Sequence, residues 1–489
     1  MARQARSGLA LVTIATLLAG CQSGGGQPGE IAGTASPPAI DLDKGRSDPV
    51  ADPLYPEYGN PALDILHYDL ALSWAPTTRR LAGEAVVTLR TTKRVDALVL
   101  DFSSRLKVSR VTVAGGRVRA EQRKRDLVVT LPEPIPAERR LTLAVRYAGT
   151  PRAVRMPSTR GDYDEGLGLR AEPDGAIWTM QEPYGAFTWY PVNDHPSDEA
   201  LYDIAVTVPD GWSGVASGQF LGAKDVGPDT RFRWRSADPV GSYVTTLAVD
   251  RFTRYADQMG DVPLTYWVPE EYDGYQLRAM RRTPEILRWL AKRFGPYPFS
   301  SAGAVAVDSS SAMETQAMVT MGGTIADADL DSDEAEAVFT EVLVHEYAHQ
   351  WFGDAVSPRD WRAVWLNEGF ATYVEMLWTL EAGDSTQREY LDWLRTRDRR
   401  SREEAGPPGR YDPGMFAESN VYVGPALMLH EIREKIGDRT FFRMVRDWVQ
   451  RQRHTHQDRA SFTRFVTDYG GDELKPIIDA WLDSPTTPS

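Results

Sequence analysis

A single cysteine, Cys21, stands in 489 residues, which excludes intramolecular disulfides, cysteine-rich zinc knuckles and CxxC redox sites. No apolar stretch reaches the roughly 18 residues that a spanning helix needs, so the sequence is not that of a polytopic membrane protein. Lysine is scarce as well: 47 of the 55 basic residues are Arg and 8 are Lys, a bias of a GC-rich genome rather than of chemistry. The formal charge of −14 argues against a basic nucleic-acid-binding surface. There is no GxxxxGKS/T loop, and the Gly24-Gly25-Gly26 run sits in a polar, aperiodic stretch rather than between strand and helix, so no nucleotide loop is supported. No GxSxG elbow offers a serine nucleophile. Histidine, at 7 residues, is rare enough that two at a defined spacing carry information.

What is present is ordered along the chain. Residues 1–20 begin with Arg3 and Arg6, continue with an apolar run over 8–20 too short for a stable anchor, and lead into Leu18-Ala19-Gly20-Cys21. This resembles a bacterial lipoprotein signal, and the resemblance implies cleavage before Cys21, lipid on its sulfur, and a mature chain held on a cell membrane outside the cytoplasm. An ordinary secretory signal with a leftover thiol is the alternative. Residues 21–52 are rich in Gly, Ser, Pro and charge without periodic apolar positions, and read as a flexible tether.

Over 53–257 strand follows strand: Val87 and Leu89, the run 97–102, the run 127–131, then Leu141, Leu143, Val145 and Tyr147 in period-two alternation interrupted by Gly and Pro. That pattern predicts an antiparallel all-β domain. From 258 to 489 the texture changes. Residues 275–294 look helical with Pro284 starting or breaking a helix, a short strand covers 302–307, and nearly everything from Asp333 onward reads as helix. The second domain is expected to be α+β, becoming all-α.

The chemistry opens that helical half. In Val344-His345-Glu346-Tyr347-Ala348-His349 the two histidines are four apart, and four steps of 100° bring their rings within about 40° of each other around a helix. Both can reach one ion. Glu346 lies beside them, placed to take a proton from a metal-activated water without being a ligand. A third ligand is offered by Glu368 in Asn367-Glu368-Gly369-Phe370-Ala371, with 18 residues between His349 and Glu368, enough for a turn and a returning helix. Two histidines and a glutamate leave the fourth position of tetrahedral zinc open, where water ionises near neutral pH. His67, His195, His430, His454 and His456 read as surface or core residues, and Trp351, Trp361 and Trp365 with Met313, Met318 and Met321 as core around the site, some of the methionines lining a specificity pocket.

HEYAHQWFGD (345–354), WLNEGFATYVE (365–375), SAMET (311–315), QEPYGAFTWYPVNDHPSDEA (181–200) and YPEYGNPALDILHYDLAL (55–72) together resemble the M1 family of zinc aminopeptidases, gluzincins related to aminopeptidase N and leukotriene A4 hydrolase. The resemblance covers about 53–450. It implies a saddle-like β-sandwich domain followed by a thermolysin-like catalytic domain with one Zn2+ per chain, acting on peptides with a free N-terminus. It also supplies roles that spacing does not. Glu314 matches the glutamate of the family's GAMEN motif, with Ser311 and Thr315 at its Gly and Asn positions, and Glu182 matches a second glutamate from the β domain; the pair would bind the substrate α-amine. Tyr422 in NVYVGPAL matches the tyrosine that stabilises the oxyanion, although Gly424-Pro425 stands where a basic residue and Gly are usual. Glu375, seven residues after Glu368, would hydrogen-bond a ligand histidine from behind.

The expected activity is removal of N-terminal residues from peptides. A thermolysin-type endopeptidase and a non-catalytic, zinc-containing peptide-binding lipoprotein are the alternatives, and an epoxide hydrolase activity has no separate support. The short reach of chain after Glu368 leads us to expect an open cleft. Neither a nucleic acid nor a nucleotide is expected as partner.

Overall fold

The computed structural model describes residues 40–161, 165–326, 328–383 and 386–488. Cys21, the signal over 1–20 and most of the tether lie outside the described residues. Within them no helix is long and apolar enough to cross a membrane.

From Asp41 onward the chain is one compact unit with a strand-rich N-terminal half and a helical C-terminal half. The first half is built on an eight-stranded sheet whose central strands are Leu63–Ala75, Arg80–Thr91 and Glu199–Pro209. Leu70, Leu72 and Trp74 turn inward while Asp69, Ala71 and Ser73 face water, the alternation that makes such a strand half-buried. Pairing is antiparallel apart from Leu63–Ala75 beside Glu199–Pro209, which run parallel. A three-stranded sheet (Val95–Asp101, Ala120–Arg123, Asp126–Ile135) and a four-stranded sheet (Gly168–Ala171, Ile177–Met180, Ser213–Ala216, Leu247–Asp250) complete this half.

Two expected boundaries move. The part of the supposed tether that is described, 41–52, is docked rather than free. Asp64 accepts from the Ser47 backbone N–H at 2.9 Å and the Arg90 guanidinium donates to the Ser47 carbonyl at 2.7 Å. Asp52, buried, accepts from Leu54, Tyr55 and Trp361 backbone N–H groups. Polar composition concealed this because the anchors are the Ser47 backbone and a buried carboxylate, Asp52, and neither produces an apolar period. The change of domain also falls near Arg251–Phe252 rather than at 257, since Thr253–Met259 pairs with Val262–Val268 in the second half's own sheet.

That sheet has five strands, with Ala302–Val307 fully buried between Val262–Val268 and Val319–Gly322, and Ala312–Met313 on the edge. Pro284 sits in the first turn of the helix Thr283–Phe294, where its missing N–H costs nothing. The helix Ser332–His349 starts on a capping box, Asp331 accepting from the Asp333 and Glu334 N–H groups while the Glu334 carboxylate takes the Asp331 N–H. The helix Val364–Ala382 is apolar nearly all round and correspondingly buried, ending on Gly383 in the left-handed region. Helices Gln387–Ala405, Ser419–Ile436, Asp438–Gln452, Arg459–Gly470 and Lys475–Asp483 enclose it.

Candidate functional site

The last turn of Ser332–His349 carries His345, Glu346 and His349, and the second turn of Val364–Ala382 carries Glu368. Between them the chain leaves the helix at Phe352 and Gly353, the latter at φ 137°, a conformation that favours glycine. The reversal brings Glu368 Oε2 to 3.4 Å from His345 Nε2 and 3.5 Å from His349 Nε2. The three ligand atoms all lie within 4.8 Å of one another.

Both rings are oriented from behind. His345 Nδ1 is 3.1 Å from Glu375 Oε2, and His349 Nδ1 is 3.1 Å from the Phe352 carbonyl oxygen. A carbonyl only accepts, so His349 Nδ1 carries a proton, and Nε2 is the ring atom left facing Glu368. Glu375 thus stands where the sequence placed it, with Tyr390 donating to its other oxygen at 3.4 Å.

Glu182 and Glu314 form a second group with Glu368, again with one oxygen each within 4.8 Å. Glu182 Oε1 and Glu314 Oε1 are buried with no hydrogen-bond partner among the described residues. Burial first, then the Glu314 charge, pushes Glu182 well above the ordinary carboxylate range. Burial likewise raises Glu314 and lifts Glu346 to about 8. Glu368 alone is held low, at about 2, because the two imidazoles outweigh its burial. Four buried carboxylates around two histidines make a pocket that demands cations. The donor set of His345, His349 and Glu368 fits a zinc ion, and the acid pair Glu182 and Glu314, with open lone pairs, fits an ammonium.

Tyr422, on the helix Ser419–Ile436, lies with its ring 5.9 Å from that of His345 and nearly parallel to it. Arg160 donates from Nη1 to the Tyr422 hydroxyl at 3.1 Å and to the Ala417 carbonyl at 2.7 Å. Sequence reasoning missed Arg160, one arginine among 47 in an aperiodic segment. It missed Gln350 too, whose amide donates to the Glu314 carbonyl and to Asp354 while its oxygen accepts from the Ala317 N–H. A buried amide directly after the second histidine was the available signal. Gln181 was legible only as a motif letter; it donates to the Ser242 and Thr245 carbonyls and accepts from Trp189, fixing the loop that presents Glu182. The five remaining histidines belong to neither metal-capable group among the described residues.

Comparison with known proteins agrees with this geometry. The Peptidase family M1 domain matches residues 278–481 and the Peptidase M1 N-terminal domain residues 65–243. Probable aminopeptidase 1 of Sulfurisphaera tokodaii is 22% identical over 399 residues, 78% of this chain and 49% of that one. Aminopeptidase N of Streptomyces lividans is 23% identical, covering 77% of this chain and 45% of its own length. The chain therefore spans about half the length of the curated relatives it matches. Among solved structures, a mutant M1 zinc metallopeptidase of Deinococcus radiodurans bound to a Tyr-Ser-Ala substrate is 28% identical, with a TM-score of 0.77 over 90% of this chain and 98% of that one.

Proposed function

The chain belongs to the M1 peptidase family, and from that membership we propose that it is a zinc aminopeptidase removing N-terminal residues from peptides. The observation that carries the proposal is the pairing of the two groups around Glu368, one with the ligand set of a zinc ion and the other with two buried carboxylates that each keep one oxygen unpartnered. Glu182 and Glu314 hold the substrate ammonium and so fix the distance from the N-terminus to the cleaved bond. His345, His349 and Glu368 would hold one Zn2+ per chain, which when bound would supply a Lewis acid for the scissile carbonyl. Glu346 takes the proton of the attacking water and returns it to the leaving nitrogen as the C–N bond breaks. The Tyr422 phenol donates to the carbonyl oxygen as it becomes an oxyanion, and Glu375 with the Phe352 carbonyl keeps both imidazoles turned toward the site.

We further propose that the mature protein works outside the cytoplasm, tethered to a membrane through lipid on Cys21. The basic start, short apolar run and Leu18-Ala19-Gly20-Cys21 support this. The mass of the N-terminal proteolytic fragment, acylated or not, tests it.

The activity is tested with a matched pair of peptides, one with a free N-terminus and one N-acetylated, read by mass spectrometry. Acetylation removes the ammonium and presses a neutral group against two buried acids, so the free peptide is shortened from its end and its twin is left intact. Internal cleavage of the acetylated peptide at a similar rate would replace the aminopeptidase with a thermolysin-type endopeptidase.

A further inference from the structure

A cavity of about 510 Å³ opens beside the site, lined by His345, Glu346 and Tyr422 but by neither Glu182 nor Glu314. A peptide whose ammonium is pinned by those two acids, and whose bond is cut beside Glu346, sends its remaining residues away from them. The cavity reaches Glu346 and Tyr422 but not the two acids, and so offers that path a place.

One wall is the helix Gln387–Ala405. Tyr390, Trp393, Leu394 and Arg397 fall on one face of it by their three- and four-residue spacing, and all four line the cavity. Trp393 is 47% exposed, one of two large apolar side chains so exposed among the described residues, with Val226. A lone exposed aromatic needs no explanation. This one stands in the active-site wall and carries the Arg397 guanidinium 4.8 Å from its ring centre, while Arg397 Nη2 also donates to Ser419 Oγ at 3.3 Å.

Among the described residues Arg397 forms no ion pair with a carboxylate. Asp392 lies 3.8 Å from Arg395, Asp398 is 2.7 Å from Arg402, and Glu375 faces His345. The cavity's other guanidinium, Arg160, is committed to Tyr422 and the Ala417 carbonyl. The cavity lining thus carries two carboxylates, Glu346 and Glu375, and on its helix wall a cation that is held in place without an anion.

We infer that Arg397, fixed by Trp393 and Ser419, receives a carboxylate on the leaving part of the peptide, either the α-carboxylate of a short peptide or an acidic side chain of a longer one. The inference rests on the aminopeptidase reading and names its substrate class. A planar guanidinium already stacked on an aromatic ring offers a carboxylate two parallel donors with little ordering left to do.

Two peptide pairs test it. One is a tripeptide with a free C-terminus and its amide; the other is an amidated tripeptide with Glu or Gln at its third position. With the wild-type protein, removing the carboxylate raises KM about five- to tenfold, as for a charge-assisted hydrogen bond at a partly exposed site. The kcat changes little, because the contact is made in ground and transition states alike. In Arg397→Ala and Arg397→Gln the members of each pair become equivalent. A difference in the first pair alone assigns the α-carboxylate, and in the second alone the side chain. The inference is overturned if neither pair differs with the wild-type protein, or if the difference persists in both variants. Turnover of an amino-acid anilide by the wild-type protein, which requires no peptide beyond the cleaved bond, reads the underlying activity separately. Anilide hydrolysis without discrimination between peptides removes this inference alone, whereas failure on both anilide and free tripeptide removes the aminopeptidase reading and the inference with it.

Discussion

Glu368 Oε2 faces both imidazoles while the same carboxylate lies against Glu182 and Glu314, so one side chain joins the ligand set to the acid pair. Glu346 belongs to neither group, and this separates their roles experimentally. Glu346→Gln keeps shape and hydrogen bonding but cannot take a proton; we expect wild-type zinc content by elemental analysis with peptide turnover near background. Full turnover in that variant would end the general-base role. Tyr422→Phe removes the donor aimed at the developing oxyanion, and kcat should fall by about 10²- to 10³-fold with KM little changed. An unchanged kcat would return Tyr422 to a packing role on His345. At this scale the sequence was informative where chemistry demands a spacing: two histidines four apart, and Glu375 two turns after Glu368. It was silent on Arg160, which reaches Tyr422 from 262 positions away in the chain, because nothing local marks such a partner.

The helices that carry these groups meet with almost no clearance. A Cβ on Gly369 would sit 2.4 Å from Pro425 Cβ, so the helix bearing Glu368 and the helix bearing Tyr422 touch through a missing side chain. A Cβ on Gly424 would in turn lie 2.7 Å from both Arg402 Nη2 and Asp398 Oδ1, a buried ion pair 2.7 Å long. Gly424 therefore has a packing reason, and Pro425 occupies the space a side chain at position 369 would need, neither of which a sequence read one helix at a time reveals. Gly369→Ala forces the two helices apart beside Glu368. We expect a loss of about 1–3 kcal/mol, the usual cost of overpacking a core, seen as a lower Tm together with faster zinc loss to a chelator. A variant of wild-type stability that retains its zinc would show that the contact yields at no cost. The helical texture from Asp333 onward was legible from periodicity; the boundary expected at 257 cuts the strand Thr253–Met259, because its partner, not its own sequence, decides which sheet it joins.

Across the whole molecule the two halves share the site. Glu182 comes from the strand-rich half, the Tyr243 hydroxyl donates to the Gly353 carbonyl at 2.9 Å beside His349, and Asp52 accepts from the Trp361 N–H ahead of the Glu368 helix. The order of β and then α+β was readable from alternation and helical period. The contacts between the halves were not, since they run through backbone carbonyls and single buried acids. A buried acid within the strand-rich half gives the molecule a testable pH response away from the metal ligands. Asp101 Oδ2 accepts from the Gly59 and Asp194 N–H groups, both at 2.9 Å. Burial, reinforced by the Asp194 charge, pushes the Asp101 carboxyl to about 8. The folded protein therefore holds a proton there that the unfolded chain, titrating near 4, has released. The stability this contributes is present in acid and is lost as pH rises toward 8, with a slope of at most about 1.4 kcal/mol per pH unit. Asn reproduces the protonated acid, because its carbonyl oxygen can accept both N–H groups and its amide replaces the hydroxyl. Asp101→Asn should accordingly flatten the decline in urea midpoint between pH 6 and pH 8 and exceed the wild type at pH 8. Taking the difference between the two proteins cancels the titration of the zinc-site carboxylates, which both share. Parallel profiles across that window would mean that Asp101 is ionised in the folded protein and that the two N–H donors outweigh its burial.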